Sequence, residues 1–157
     1  MNGKLVAGGI VLTGLVAGIA MYWLQVHAFY SQVSFAPGAE ITLVPIGGDV
    51  PRPIAVETAE GIDANSSPLR FRACFTTPLT QDSLRQTYRP YDRPTPLTAP
   101  GWFGCFDADA IGAALERGEA LAFLSQANIA RGVDRVVAVF PDGRAFAWHQ
   151  LNDTYKE

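Results

Sequence analysis

The chain opens with a block of twenty residues without a charged side chain, LVAGGIVLTGLVAGIAMYWL, from Leu5 to Leu24. At about 1.5 Å rise per residue, a helix of this length spans about 30 Å, the thickness of a bilayer's hydrocarbon core. Tyr22 and Trp23 close the block, and their amphipathic rings favour the headgroup level. The pattern predicts a transmembrane helix with the lipid bilayer as its first partner.

The charges around this block predict its orientation. Lys4 precedes it, and the next Lys or Arg is Arg52. The positive-inside bias then places the N-terminus in the cytoplasm and the rest of the chain in the periplasm of a bacterium, with the helix in the inner membrane. The alternative is a cleaved signal peptide, because Val26-His27-Ala28 has the small-residue pattern of a cleavage site. The apolar block exceeds the 7 to 15 residues of a usual signal-peptide core, which favours retention.

Small residues recur inside the predicted helix at a spacing of four. Gly14 and Gly18 form a GxxxG motif, and Gly9, Thr13 and Ala17 repeat small side chains on an adjoining strip. Such a strip allows a second helix to approach closely in lipid. The second helix would belong to another copy of this chain or to a membrane complex.

After the anchor (1–27) and a stem (28–38) that ends at the turn signal Pro37-Gly38, the pattern changes to short apolar runs. In one run, alternation puts Phe71 and Ala73 on one face and Arg72 and Cys74 on the other, so we expect one side to face a core. The runs predict strands at Ile41 to Val44, Ile54 to Thr58 and Leu69 to Phe75.

Two segments carry helix signals. Thr80 to Thr87 has Thr80 as a candidate N-cap and Leu84 as its apolar contact. Asp107 can cap a second helix, which Ile111 would attach to the core and Gly118 would end.

The C-terminal region carries a hairpin signal. Arg135 to Phe140 and Arg144 to Leu151 flank Pro141-Asp142-Gly143, in which Pro presets φ and Gly takes the left-handed position. Ala120 to Leu124 fits a buried strand or a helical turn, with strand favoured narrowly. The soluble domain, 39–157, is therefore predicted to be α+β, with an antiparallel sheet of about five strands and one or two helices.

Between the two predicted helices lies a proline-rich segment, with four prolines within eleven residues from Pro90 to Pro100. Prolines lack backbone donors and favour extended conformations, so this is predicted to be a long ordered loop. Aromatic and Arg side chains are enriched at protein interfaces. The candidate interface residues are Tyr88, Arg89, Tyr91 and Arg93.

Charge and length limit the classes of function. The net charge is -3, and acidic and basic residues are interspersed from Glu40 onward, which disfavours nucleic acid as a partner. About 120 residues follow the anchor and stem, enough for one domain with its own core.

The two cysteines, Cys74 and Cys105, are predicted to form a structural disulfide, as suits an oxidising compartment. By the chain-entropy estimate, closing a loop of about 32 residues contributes about 3 to 4 kcal/mol. The alternative is a thiol- or metal-handling site in which His149 joins the two thiolates to bind copper or zinc, although no CxxC pair preforms it.

Catalytic and cofactor motifs are missing from the sequence. It contains no GxSxG, GxGxxG or Walker pattern. Of its two histidines, His27 lies at the predicted membrane interface and His149 in a predicted strand. We therefore expect a noncatalytic protein without a cofactor or a resident metal.

Several segments resemble a small uncharacterised family of single-pass membrane proteins from alphaproteobacteria related to Rhodobacter and Paracoccus. They are Met1-Asn2-Gly3-Lys4 with the glycine-rich anchor, SSPLRFRACF (66–75), APGWFGCFDA (99–108) and GVDRVVAVFPDGRAFAWHQL (132–151). The resemblance covers most of the chain and implies a bacterial origin and both Cys positions. Some members are labelled histidine kinases, but 157 residues are too few for a dimerisation helix pair plus an ATP-binding domain.

Together these features favour an accessory, assembly or scaffold factor of a membrane complex, with the proline-rich loop as its docking surface. Two alternatives stay open: the thiol- or metal-handling factor that uses Cys74 and Cys105, and a homodimer joined through Gly14 and Gly18.

Overall fold

The computed structural model describes residues 2–36 and 41–156. It divides into two compact units, Met1–Tyr30 and Ser31–Glu157. The turn signal at Pro37-Gly38 and the predicted domain boundary at residue 39 lie outside the described residues.

The first unit is helical, as its sequence predicts. Helix α1 (Gly3–Trp23) continues into a π-helical turn, Leu24–Ala28, and together they form a 26-residue apolar helix long enough to cross a membrane. Signal sequences near an N-terminus can meet the same criteria of helix length and hydropathy. A Cβ added at Gly14 or Gly18 would meet no atom within 4 Å, so the small-residue strip is open. Its helix partner stays a prediction.

The second unit contains two helices and most of the sheet. The elements are β1 (Tyr30–Gln32), β2 (Thr42–Leu43), β3 (Arg52–Pro53), β4 (Thr58–Ala64), β5 (Arg72–Thr76), α2 (Gln81–Thr87), α3 (Ala108–Glu116), β6 (Leu121–Ala130), β7 (Val133–Val139) and β8 (Arg144–Leu151). A six-stranded sheet has the order β1-β4-β5-β8-β7-β6, and β2 and β3 form a separate antiparallel pair.

The main core lies on one face of the six-stranded sheet. One buried cluster contains Phe71 and Phe75 and Ala147 of β8 together with Leu84 of α2 and Leu43 of β2. Contiguous apolar burial of this kind is the dominant stabilising term for a domain of this size.

The opposite face of the sheet is also covered, which corrects the expectation of a single buried face at β5. Phe106 packs edge-to-face against Phe146 and Trp148 of β8, with ring centroids 5.9 and 6.4 Å apart. Arg72, only 4% exposed, therefore lies inside the protein, where its guanidinium donates to the carbonyl oxygens of Leu97 and Thr98. Hydrogen bonds to these carbonyls compensate the loss of water around the buried charge.

Strand positions near the N-terminal half of the domain differ from the sequence prediction. The prediction of a strand from Ile54 to Thr58 is wrong, because β3 ends at Pro53 and β4 begins only at Thr58. Ile54 is buried in the core instead. The stem contributes β1 as an edge strand, and the main sheet therefore has six strands rather than about five.

The helix starts and the hairpin are confirmed. Thr80 Oγ1 accepts from the Ser83 N–H at 3.3 Å, and Asp107 Oδ1 accepts from the Ala110 N–H at 3.0 Å. Gly143 has φ of +85° in the β7–β8 turn. The narrow choice of a strand at Ala120 to Leu124 is also confirmed, although β6 is longer and its pairing with β7 contains two register shifts.

Candidate functional site

The proline-rich segment extends the main sheet beyond β6. The Tyr91 N–H donates to the carbonyl oxygen of Ala122 at 2.9 Å, and the carbonyl oxygen of Arg89 accepts from the Leu124 N–H at 3.0 Å. On its other side, the Arg89 N–H donates to the carbonyl oxygen of Val44 at 2.8 Å. These hydrogen bonds hold the start of the segment, residues 89–91, in an extended conformation, as the sequence predicts for an ordered loop.

A buried glutamine fixes the next turn of the segment. Gln150, 6% exposed, accepts hydrogen bonds at Oε1 from the Thr95 N–H at 2.7 Å and from Trp148 Nε1 at 3.0 Å. Its Nε2 donates to the carbonyl oxygen of Arg93 at 3.3 Å. Arg93 has φ of +55°, a left-handed conformation that is rare outside glycine and needs such support.

A buried carboxylate lies below this segment. Asp134, 8% exposed, accepts from the Tyr91 hydroxyl at 3.1 Å, from the Asn128 N–H at 2.9 Å and from Asn152 Nδ2 at 2.7 Å. Burial, followed by the negative charge of Asp134, raises the pKa of Tyr91 above its usual value, so the hydroxyl stays a donor. Asn128, with φ of +47°, lies within the second register shift of β6, between Gln126 and Ala130, and in this irregular stretch its N–H donates to the carboxylate.

These groups surround a solvent-open cleft of about 540 Å³, hereafter the polar cleft. Its rim carries the ion pair between Arg93 and Asp153, and the side chain of Asp92 is exposed beside it. The walls include Arg89, Tyr91, Arg93, Asp134, Gln150 and Asp153.

Three of the four candidate interface residues line the polar cleft, and the fourth does not. Tyr88 instead packs against the core cluster. Sequence reasoning missed Asp134 and Gln150, which face each other in the register of β7 and β8. The sequence signal for both was a pair of polar residues inside a largely apolar strand, Asp134-Arg135 in β7 and His149-Gln150 in β8.

Cys74 and Cys105 form a disulfide that links β5 to the segment before α3, with their Cα atoms 6.3 Å apart. The bridge lies in a second open space of about 450 Å³, hereafter the disulfide groove. Its lining includes Thr58, Glu60, Cys74, Cys105, Arg144 and Phe146.

His149 does not join the two cysteines, which corrects the three-residue metal set. It stacks on Phe71 with ring centroids 4.8 Å apart, on the sheet face opposite Cys74. Its Nδ1 lies 2.6 Å from the carbonyl oxygen of Pro68, and its Nε2 accepts from Arg135 Nε at 3.0 Å. The ring is therefore neutral with its proton on Nδ1, since burial and then the charge of Arg135 lower the pKa of His149 to about 4.

No curated protein and no solved structure matches the chain. Residues 41–157 match a family of unknown function, DUF6446, in agreement with the resemblance to an uncharacterised family. Because this match covers most of the chain, the protein belongs to the DUF6446 family.

Proposed function

We propose that this protein is a noncatalytic, single-pass membrane protein that docks a component of a membrane complex at the polar cleft and acts as an accessory or assembly factor. The observation that carries the proposal is the fixed conformation of the proline-rich segment. Main-chain hydrogen bonds to β6 and the side chain of Gln150 hold it in place before any partner arrives.

A preformed surface favours binding because little conformational entropy is lost when the partner is bound. The cleft presents an aromatic residue and two arginines, which are side chains enriched at interfaces. The ion pair between Arg93 and Asp153 is largely exposed, so opening it costs little free energy. Both charged groups are then available to oppositely charged groups of the partner.

The proposed location follows from the first unit and the disulfide. The apolar helix would remain in the inner membrane with Lys4 on the cytoplasmic side, and the domain would face the periplasm. The disulfide between Cys74 and Cys105 supports this orientation, since such bonds persist in oxidising compartments.

Intact mass analysis of protein purified from membranes tests the anchor. The proposal expects a chain that begins at Met1 and stays in the membrane fraction. A soluble chain that begins at Phe29 would instead show cleavage after Ala28 and remove the anchor.

Photocrosslinking in intact cells tests the docking site. A photoreactive residue at Asp92, beside the rim, should give one discrete crosslinked product, whereas the same residue at the exposed Gln86 of α2 should not. Arg93→Glu should remove the product from the Asp92 position. The same products from both positions, or a product unaffected by Arg93→Glu, would contradict docking at the polar cleft.

A further inference from the structure

Three potential metal ligands from separate parts of the chain converge in the disulfide groove. A carboxylate oxygen of Glu60 and the Sγ atoms of Cys74 and Cys105 all lie within 4.8 Å of one another. The register explains the arrangement, because Glu60 of β4 lies directly opposite Cys74 of β5 and their side chains share one sheet face.

The surroundings leave these groups accessible to a small ion. Glu60 is exposed, and Cys105 is half-buried, while Cys74 is 9% exposed at the floor of the groove. Within the described ranges, no hydrogen bond or ion pair occupies the Glu60 carboxylate. The groove, about 450 Å³ and open to solvent, has room for an ion and a bound water.

We propose that the disulfide groove is a redox-gated site for a thiophilic divalent cation such as Zn²⁺, with Cys74, Cys105 and Glu60 as its protein ligands. The disulfide form is the closed state, because its sulfurs have no thiolate charge to offer. The site opens when the bridge is reduced.

The opening step is a thiol–disulfide exchange with an external dithiol, such as a reduced periplasmic oxidoreductase. Its first thiolate attacks Sγ of Cys105, the more exposed of the two residues, and the Cys74–Cys105 bond breaks. Its second thiol resolves the mixed disulfide, so the external dithiol is oxidised to a disulfide while its two protons and two electrons pass to Cys74 and Cys105. Metal binding then displaces both thiol protons to solvent.

The donor set suits zinc. In a tetrahedral site, Zn–S distances of about 2.3 Å and Zn–O distances of about 2.0 Å place the ligand atoms about 3.5 to 3.8 Å apart. After reduction the two sulfurs can separate to this distance, and the Glu60 carboxylate oxygen, which lies within 4.8 Å of both, reaches it by a small side-chain movement. Three protein ligands leave the fourth position to water. Glu60 thus takes the place that sequence reasoning gave to His149.

Cadmium binding to the full-length protein in mild detergent tests the site, because Cd²⁺ reports thiolate coordination by an ultraviolet charge-transfer band. The bridge is first opened with a phosphine reductant, and free thiols are counted. Reduced wild type should bind one Cd²⁺ per chain with this band, a large excess of Zn²⁺ should compete with it, and the oxidised protein should not bind.

Glu60→Gln distinguishes a built site from two thiols that happen to capture metal. It should weaken Cd²⁺ binding about tenfold or more, by analogy with the loss that follows when supporting groups of metal sites are removed. The matched control is Glu57→Gln, an exposed carboxylate three residues earlier, which should bind like wild type. Equal affinity of Glu60→Gln and wild type, no binding by reduced wild type, or a bridge that resists reduction in the folded protein would overturn the proposal.

Discussion

The hydroxyl of Tyr91 donates a hydrogen bond to the buried carboxylate of Asp134, 3.1 Å away. This contact joins the proline-rich segment to β7 across 43 residues of sequence. The carboxylate also accepts hydrogen bonds from Asn128 and Asn152, so one buried side chain connects three segments of the chain at and beside the polar cleft. The docking proposal depends on this fixed geometry. The contribution of the contact to stability can be measured by removing the Tyr91 hydroxyl.

Tyr91→Phe should lower the free energy of unfolding by about 1.5 to 3 kcal/mol, since a hydrogen bond to a charged acceptor is lost. Tyr88→Phe is the matched control, because no hydrogen bond to its hydroxyl occurs in the described part of the chain. It should change the free energy of unfolding by less than about 0.5 kcal/mol. Urea denaturation in detergent measures both, and equal losses would show that Tyr91 does not stabilise the cleft through Asp134.

The lowered pKa of His149 predicts that the protein loses stability in acid. Its pKa is lowered to about 4 in the folded protein, below the ordinary value of 6.5, so the unfolded chain binds the proton more tightly. The contribution is fully present above about pH 6.5 and is lost as the pH falls toward 4, by on the order of 3 kcal/mol.

The control for this pH effect is His149→Gln, which removes the titrating ring and keeps all other titratable side chains. Between pH 6.5 and 4, wild type should lose more stability than this variant in denaturant titrations. Parallel curves would mean that the ring is not held neutral by burial and Arg135.

The disulfide should contribute strongly to stability. Replacing Cys74 and Cys105 together by Ser opens a loop with a sequence separation of 31 and should lower the free energy of unfolding by about 3 to 4 kcal/mol. Reduced wild type should match the double variant in urea denaturation. An unchanged midpoint in both would show that the bridge does not constrain the unfolded chain.

Two turn glycines form a matched pair. Both Gly118 and Gly143 have left-handed φ, +72° and +85°, but a Cβ at Gly143 would lie 2.8 Å from the Thr77 carbonyl oxygen, whereas one at Gly118 would meet no atom within 4 Å. Gly118→Ala should cost about 1 kcal/mol from backbone strain alone, and Gly143→Ala should cost more because the backbone must also shift. Similar thermal midpoints for the two variants would contradict the clash.

The elements that sequence reasoning identified correctly have local signals. The capping residues Thr80 and Asp107 and the turn glycine Gly143 each act within a few residues of their own position. Strand β4 was missed because its sequence, TAEGIDA, contains Gly, Glu and Asp, which have poor strand propensity. It forms because β5 offers a partner, and that pairing is not local.

In the candidate sites too, the sequence indicated residues of one local segment and missed those that come from distant strands. The composition of the proline-rich segment indicated Arg89, Tyr91 and Arg93, but gave no sign that the buried Asp134 and Gln150 would hold it. Likewise, the position of Glu60 beside the disulfide depends on the register between β4 and β5. Residues from distant strands meet only after the sheet has formed, so a reading of neighbouring positions misses them.

The native mass of the protein, extracted from membranes in mild detergent, shows whether the domain docks a partner at the polar cleft. At natural expression levels, wild type and the control Gln86→Glu should purify within a larger complex, and Arg93→Glu should purify alone. Recovery of wild type by itself, or a complex that survives Arg93→Glu, would mean that no partner docks at the polar cleft.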